Sequence, residues 1–307
     1  MRGGGRLPGW LCRGSAVMVL ALASVACDAA ATTDRADQTA SSAADVKTGS
    51  AAVTVAAAGD IAGAPEDGRG TADLIEAFGP DAVLALGDNA YSAGSISQYQ
   101  ENYEPTWGAF KDITRPAPGN HEYRTEGAAG YFEYFREQIH DQPYYAWDAG
   151  PWRMYSLNCE IDCGRGSKQL DWLKEDLAAS ADRPALAYVH EPFYTCSTKH
   201  PPFGQLDGIW EALQEGSGQL LLSAHNHAYE RFAQLDSRGN PSRDGLRQFV
   251  VGSGGVSVYP LESRCANREA QTETSGVLML ELRGDSYAWE FVDIRGEVLD
   301  SGEQPIS

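Results

Sequence analysis

Basic residues are scarce in this chain. Lys and Arg total 24 against 43 Asp and Glu, giving a formal charge of −19 over 307 residues, and the Lys and Arg form no run. An acidic surface repels a polyanion instead of releasing its counterions, which excludes a protein that coats nucleic acid. Six cysteines in this length are too few for a small disulfide scaffold. Hydrophobic residues at 42% and aromatics at 10% exclude wholesale disorder and supply a sizeable core. The apolar run at residues 16–26 is too short to span a bilayer permanently.

That run instead belongs to a leader. Arg2, Arg6 and Arg13 precede it, and Ser24-Val25-Ala26-Cys27 ends it with small residues and a cysteine. The ending resembles a bacterial lipobox, in which Cys27 is acylated, with Ser24 where Leu is commonest; ordinary signal-peptide cleavage is the alternative. Either way the chain is expected to be exported, held by a lipid at the outer face of a bacterial cell membrane or secreted. Residues 28–51, dominated by Ala, Thr, Ser and Asp, read as a flexible tether that cannot offset its ordering entropy. Without residues 1–27, 21 basic residues face 43 acidic ones, a charge of −22.

Export also accounts for Cys159, Cys163, Cys196 and Cys265, an even number in an oxidising compartment. Cys159 and Cys163 are close enough to close one small loop, leaving Cys196 with Cys265. A zinc site of four thiolates is the alternative, although paired C-x2-C knuckles are missing.

From residue 52 to 307 the chain reads as one α/β domain. Apolar runs at 53–58, 82–86, 185–189 and 220–223 predict strands, and 70–78, 131–138 and 168–179 predict helices. Leu170, Leu173 and Leu177 mark one apolar helix face. Further strands are predicted at 247–251, 277–282 and 286–294. Polar residues follow the early strands: Gly59-Asp60, Gly87-Asp88-Asn89-Ala90-Tyr91, Gly119-Asn120-His121-Glu122, His190, and His225-Asn226-His227. Ligand sites of α/β folds sit at such strand ends. Of only six histidines, four fall in these segments, and His200 follows His190 by ten residues. Mixed N and O donors of this kind suit Fe, Zn or Mn and disfavour calcium.

The segments GDIA, GDNAY, GNHE, AYVH and AHNH, in this order from Asp60 to His227, resemble the motifs of the calcineurin-like metallophosphoesterases, and among them the purple acid phosphatases. Residues 225–231 resemble that family's histidine-rich loop, and VVGSGG at 250–255 its late glycine turn. Ala62, Ala187 and Ala224 replace small or apolar family residues, and no ligand position is lost.

The resemblance implies a four-layer α/β/β/α sandwich of two mixed sheets flanked by helices. It also implies two metal ions bridged by Asp88, with Asp60, Tyr91 and His227 completing one site and Asn120, His190 and His225 the other. Tyr91 takes the place of a histidine that Ala62 cannot supply. A phenol has a pKa near 10, so Tyr91 implies Fe(III) at its site, with Fe(II), Zn or Mn at the other. The implied reaction is hydrolysis of small phosphate monoesters by attack of hydroxide generated at the metals. His121 and His200 are the candidate catalytic groups. Glu122 is expected to orient a neighbouring histidine, and Tyr194 and Arg231 either line the pocket or serve packing and ion pairing. A phosphodiesterase or nucleotide hydrolase on the same site, a non-catalytic metal- or phosphate-binding lipoprotein, and an adhesion module stand as alternatives.

Overall fold

The computed structural model describes residues 51–306. The leader, Cys27 and the tether up to residue 50 lie outside the described residues. In chain order the strands are β1 (Val53–Ala58), β2 (Ala82–Ala85), β3 (Tyr145–Ala149), β4 (Trp152–Ser156), β5 (Ala185–Tyr188) and β6 (Gly218–Ser223). They continue with β7 (Tyr229–Phe232), β8 (Arg247–Val251), β9 (Arg268–Thr272), β10 (Gly276–Leu282), β11 (Ser286–Asp293) and β12 (Val298–Pro305). They form a five-stranded sheet, β12-β11-β10-β1-β2, and a seven-stranded sheet, β3-β4-β5-β6-β8-β7-β9. Both are mixed: β1 runs parallel to β2 but antiparallel to β10, and β5 and β6 are parallel while β7 opposes β8.

The two-residue period of a strand sorts the core into two layers. In β5 and β6, Leu186, Tyr188, Leu220 and Leu222 join the cluster between the sheets, with Val55, Leu84, Leu278 and Phe291 from the other sheet. Ala185, Ala187 and Leu221 point the other way, toward Leu170, Leu173, Leu177, Ile209 and Leu213. Those leucines and isoleucine lie on the helices Lys168–Ala179 and Asp207–Glu215. The helix Arg69–Phe78 packs on β10 of the five-stranded sheet. Two mixed sheets flanked by helices are thus the observed architecture. Each fully buried leucine contributes about 1.5–3 kcal/mol over its exposed state.

The helix expected at 131–138 is broken in two, Ala129–Tyr134 and Arg136–Ile139, by non-helical torsions at Phe135. Its ring is held among Tyr99, Tyr103, Tyr131 and Tyr134. The four cysteines pair as Cys159–Cys163 and Cys196–Cys265, with Cα separations of 5.2 and 5.8 Å, so the four-thiolate zinc reading does not hold. Among the described residues no helix is long and apolar enough to cross a membrane.

Candidate metal centre

The loops that follow β1 and β2 run side by side. Asp60 N–H donates to the Gly87 carbonyl, Ile61 to Asp88 and Ala62 to Asn89. Asp60 and Asp88 adopt the left-handed backbone (φ 59° and 50°), as does His225 (φ 66°). Non-glycine residues seldom hold that conformation, and it concentrates at functional sites. Gly87 is needed beside them, since a Cβ there would lie 2.6 Å from His190 Nδ1. Gly252, in the late glycine turn, would press a Cβ to 2.6 Å from Asp60 Oδ2.

These loops bring together side chains far apart in sequence. Tyr91 donates its hydroxyl to Asp60 Oδ1 at 2.6 Å, and the same oxygen lies 3.2 Å from Asp88 Oδ2 and 3.3 Å from His227 Nε2. His227 Nε2 is 3.2 Å from Asp60 Oδ1. On the other side, His190 Nε2 is 3.3 Å from Asp88 Oδ2 and 3.2 Å from His225 Nδ1. Donor atoms of Asp88, His190 and His225 all lie within 4.8 Å of one another. Two of the histidines are oriented by backbone carbonyls: His190 Nδ1 faces Leu86 O at 3.0 Å and His227 Nδ1 faces Ser257 O at 2.8 Å. Their Nε2 atoms are thereby turned toward the carboxylates, an arrangement suited to metal ligands.

The electrostatics are those of a site built for cations. Burial raises the Asp60 pKa, but the charge and hydrogen bond of His227 outweigh it and hold the carboxyl well below its ordinary range. Asp88 is likewise lowered, burial being overcome by His190. Burial and then the charges of Asp60 and Asp88 push Tyr91 far up, so without a cation the phenol keeps its proton. Burial, reinforced by His190, pushes His225 down to about 3 and leaves it neutral. Asp60 Oδ2 and Asn120 Oδ1 are buried without a hydrogen-bond partner. Among the described residues no Lys or Arg ion pair reaches Asp60 or Asp88. Buried carboxylates need pairing or a metal, and this donor set of carboxylates, phenol, amide oxygen and imidazoles fits transition-metal ions.

A family model of the calcineurin-like phosphoesterases matches residues 53–229. The chain belongs to that family. It is similar to Purple acid phosphatase 15 of Arabidopsis thaliana, 26% identical over an alignment of 218 residues that covers 57% of this chain and 40% of that protein. It is also similar to Probable inactive purple acid phosphatase 9 of the same plant, 29% identical over 141 residues, 41% of this chain and 21% of that one. The matches thus span less than half the length of these curated relatives. Among solved structures, purple acid phosphatase PPD1 from yellow lupin (Lupinus luteus) seeds superposes with a TM-score of 0.69 at 18% identity, covering 85% of this chain and 55% of that one. A dimetal phosphatase from Danio rerio superposes at 0.56 and 13% identity, covering 83% and 99%. At these identities the superpositions show the fold.

Around the phosphoesterase centre, several expected residues take other places. Glu122 contacts backbone, not a histidine: it accepts N–H bonds from Asp88, Asn89, Ala90 and Gly119 and the Tyr99 hydroxyl. Burial and the Asp88 charge raise its pKa to about 7. Tyr194 is not at the centre; its ring packs on Phe193, Trp210 and Phe232 behind the seven-stranded sheet. Arg231 also points away, making two hydrogen bonds to Asp300 at 2.7 and 3.0 Å and so tying β7 to β12 of the other sheet. Strand alternation explains this, because Glu230 takes the opposite face and reaches Thr195 and Cys196.

His121 does sit at the centre. Its backbone N–H donates to Asp88 Oδ1 at 2.7 Å, Nδ1 faces Ser92 O at 2.8 Å, and Nε2 lies 3.7 Å from Asp88 Oδ2. His200 stands over His225, ring centroids 4.2 Å apart. Tyr259 has no counterpart in the sequence reading. It stacks on His227 at 4.0 Å and places its hydroxyl 3.3 Å from Nε2. Only its position shortly after the glycine turn hints at this.

Proposed function

We propose that this centre holds two metal ions sharing Asp88 and that the protein hydrolyses phosphate monoesters outside the cytoplasm. Asp60, Tyr91 and His227 would complete one site, and Asn120, His190 and His225 the other. The observation that carries this reading is the position of Asp88 Oδ2, within 3.3 Å of both Tyr91 Oη and His190 Nε2. One oxygen thus touches both halves of the donor set. When bound, two such ions neutralise phosphate charge and acidify a water that can attack phosphorus. Tyr91 favours a strongly Lewis-acidic ion, Fe(III), in the first site; Fe(II), Zn or Mn suits the second.

The chain's own groups do the rest. His121 and His200 flank the centre; His200, and His121 when its ring carries both protons, since Nδ1–H is held by the Ser92 carbonyl, would present ring N–H groups to the leaving oxygen as the ester bond breaks. Glu122 holds the 88–90 and 119 backbone, so the ligand loops need not reorganise during turnover. Two disulfides favour an oxidising compartment and support export; acylation of Cys27 would anchor the protein by its N-terminus.

The test is hydrolysis of 4-nitrophenyl phosphate by purified, metal-loaded protein, with bis(4-nitrophenyl) phosphate alongside. The monoester is expected to turn over faster, and Asp88→Ala to lower kcat at least about a thousandfold. Faster diester turnover would reassign the substrate class. Absence of activity with Fe, Zn or Mn would overturn the enzyme reading.

A further inference from the structure

Three loops meet at the rim of the centre: residues 195–200 after β5, residues 224–228 between β6 and β7, and residues 256–265 after β8. The Cys196–Cys265 disulfide ties the first to the third. The third is bound to the second through Tyr259, whose backbone N–H donates to the His227 carbonyl at 2.8 Å. Asn226 closes the remaining side. It is fully buried, and its Nδ2 donates to Thr195 Oγ1 at 2.9 Å and to the His200 carbonyl at 3.1 Å. The Thr195 hydroxyl in turn donates a hydrogen bond to Glu230 Oε2 at 2.7 Å, and Glu230 accepts the Cys196 N–H at 2.9 Å.

We infer that Asn226 is a positioning residue that sets His200 over His225 as an N–H donor for the leaving oxygen, and so governs turnover of esters with poor leaving groups. This rests on the phosphoesterase reading above. The residue type follows from the geometry. One amide nitrogen carries two protons in a fixed plane and serves two oxygen acceptors in a separate loop. Ala or Val supplies neither proton, and Asp would set oxygen against oxygen. Asn226 also stands between His225 and His227, so the histidine loop itself is the reference to which His200 is registered. In the reaction the water oxygen bonds to phosphorus while the ester P–O bond breaks. The leaving oxygen keeps that electron pair and takes up the proton presented by His200, and the proton lost by the attacking water restores His200. An alkoxide depends on that proton, and a 2,4-dinitrophenolate leaves readily without it.

The experiment compares Asn226→Ala with the unmodified protein on glycerol phosphate and 2,4-dinitrophenyl phosphate. The variant should lose about tenfold or more in kcat on the first and less than about threefold on the second, with KM and bound metal unchanged. His200→Ala should show the same split, and the double variant should be no worse than His200→Ala alone. Thr195→Val, which removes one acceptor with little change of volume, should give the same split at smaller size. Independently of activity, trypsin should cut after the exposed Lys199 several-fold faster in metal-free Asn226→Ala protein, because the 195–200 loop is released. Equal losses on both esters, additive losses in the double variant, or unchanged cleavage would overturn the assignment. Failure of the unmodified protein to hydrolyse either ester would instead sink the phosphoesterase reading itself.

Discussion

Tyr91 carries the most specific chemical statement of any single residue here. Its oxygen is within 3.3 Å of two carboxylates and an imidazole, and nothing in that surrounding stabilises a phenolate except a cation. With Fe(III) bound, the protein is expected to absorb visible light through phenolate-to-iron charge transfer. Tyr91→Phe should abolish that band while circular dichroism stays unchanged. Retention of the band would assign it to another group. Glu122 makes a different prediction, since four backbone N–H groups and a phenol converge on its two oxygens. Glu122→Gln replaces one acceptor oxygen by a donor and should cost roughly 1–3 kcal/mol of stability. It should also weaken metal retention during dialysis, because the ligand loops lose their common anchor. Asp60, Asp88, His190 and His225 were legible because each follows an apolar run that is a buried strand, whereas Asn120 and His121 follow no strand and were legible only through the GNHE motif. Tyr259 was not, because it is brought to His227 by a loop whose path depends on tertiary contacts.

At the scale of elements, legibility followed burial only in part, since β3, β4 and β7 are largely buried yet stand outside the sequence reading. β1 and β8 match their sequence readings end for end: β1 is apolar but for Thr54, and β8 ends in the apolar Phe249-Val250-Val251. The helix Lys168–Ala179 matches as well: its leucines mark one face and Ser167 caps it, accepting the Leu170 N–H at 3.1 Å. The edge strands β9 and β12 escaped notice. Their residues are exposed or half-buried along their length, so no hydrophobic alternation announces them, and they are strands by virtue of the neighbours they pair with. β12 nonetheless contributes Asp300, which receives Arg231, the Tyr229 hydroxyl at 2.6 Å and the Trp289 indole at 3.1 Å. Burial raises the Asp300 pKa, but the bonds from Arg231 and Tyr229 prevail and hold it below its ordinary value. A carboxyl depressed in the folded state adds stability above the unfolded value, near 3.9, and loses it as pH falls through the folded one. Asp300→Asn should therefore lower stability at neutral pH by roughly 1–3 kcal/mol. It should also flatten the acid limb of denaturant midpoints measured between pH 5 and about 2. An acid limb parallel to that of the unmodified protein would show that Asp300 does not titrate with unfolding.

In the molecule as a whole, two sheets meet so that the ends of β1 and β2 from one and β5 and β6 from the other face a common centre. Neither sheet holds the donor set alone: Asp60, Asp88 and Tyr91 follow strands of the first, and His190 and His225 follow strands of the second. The proposed chemistry requires a pair of cations at that seam. Anomalous-difference crystallography of protein loaded with iron and zinc locates them directly. Two peaks are expected, both in contact with the Asp88 carboxylate, one beside Tyr91 and the other beside His190. A single peak, or peaks away from Asp88, would contradict the account.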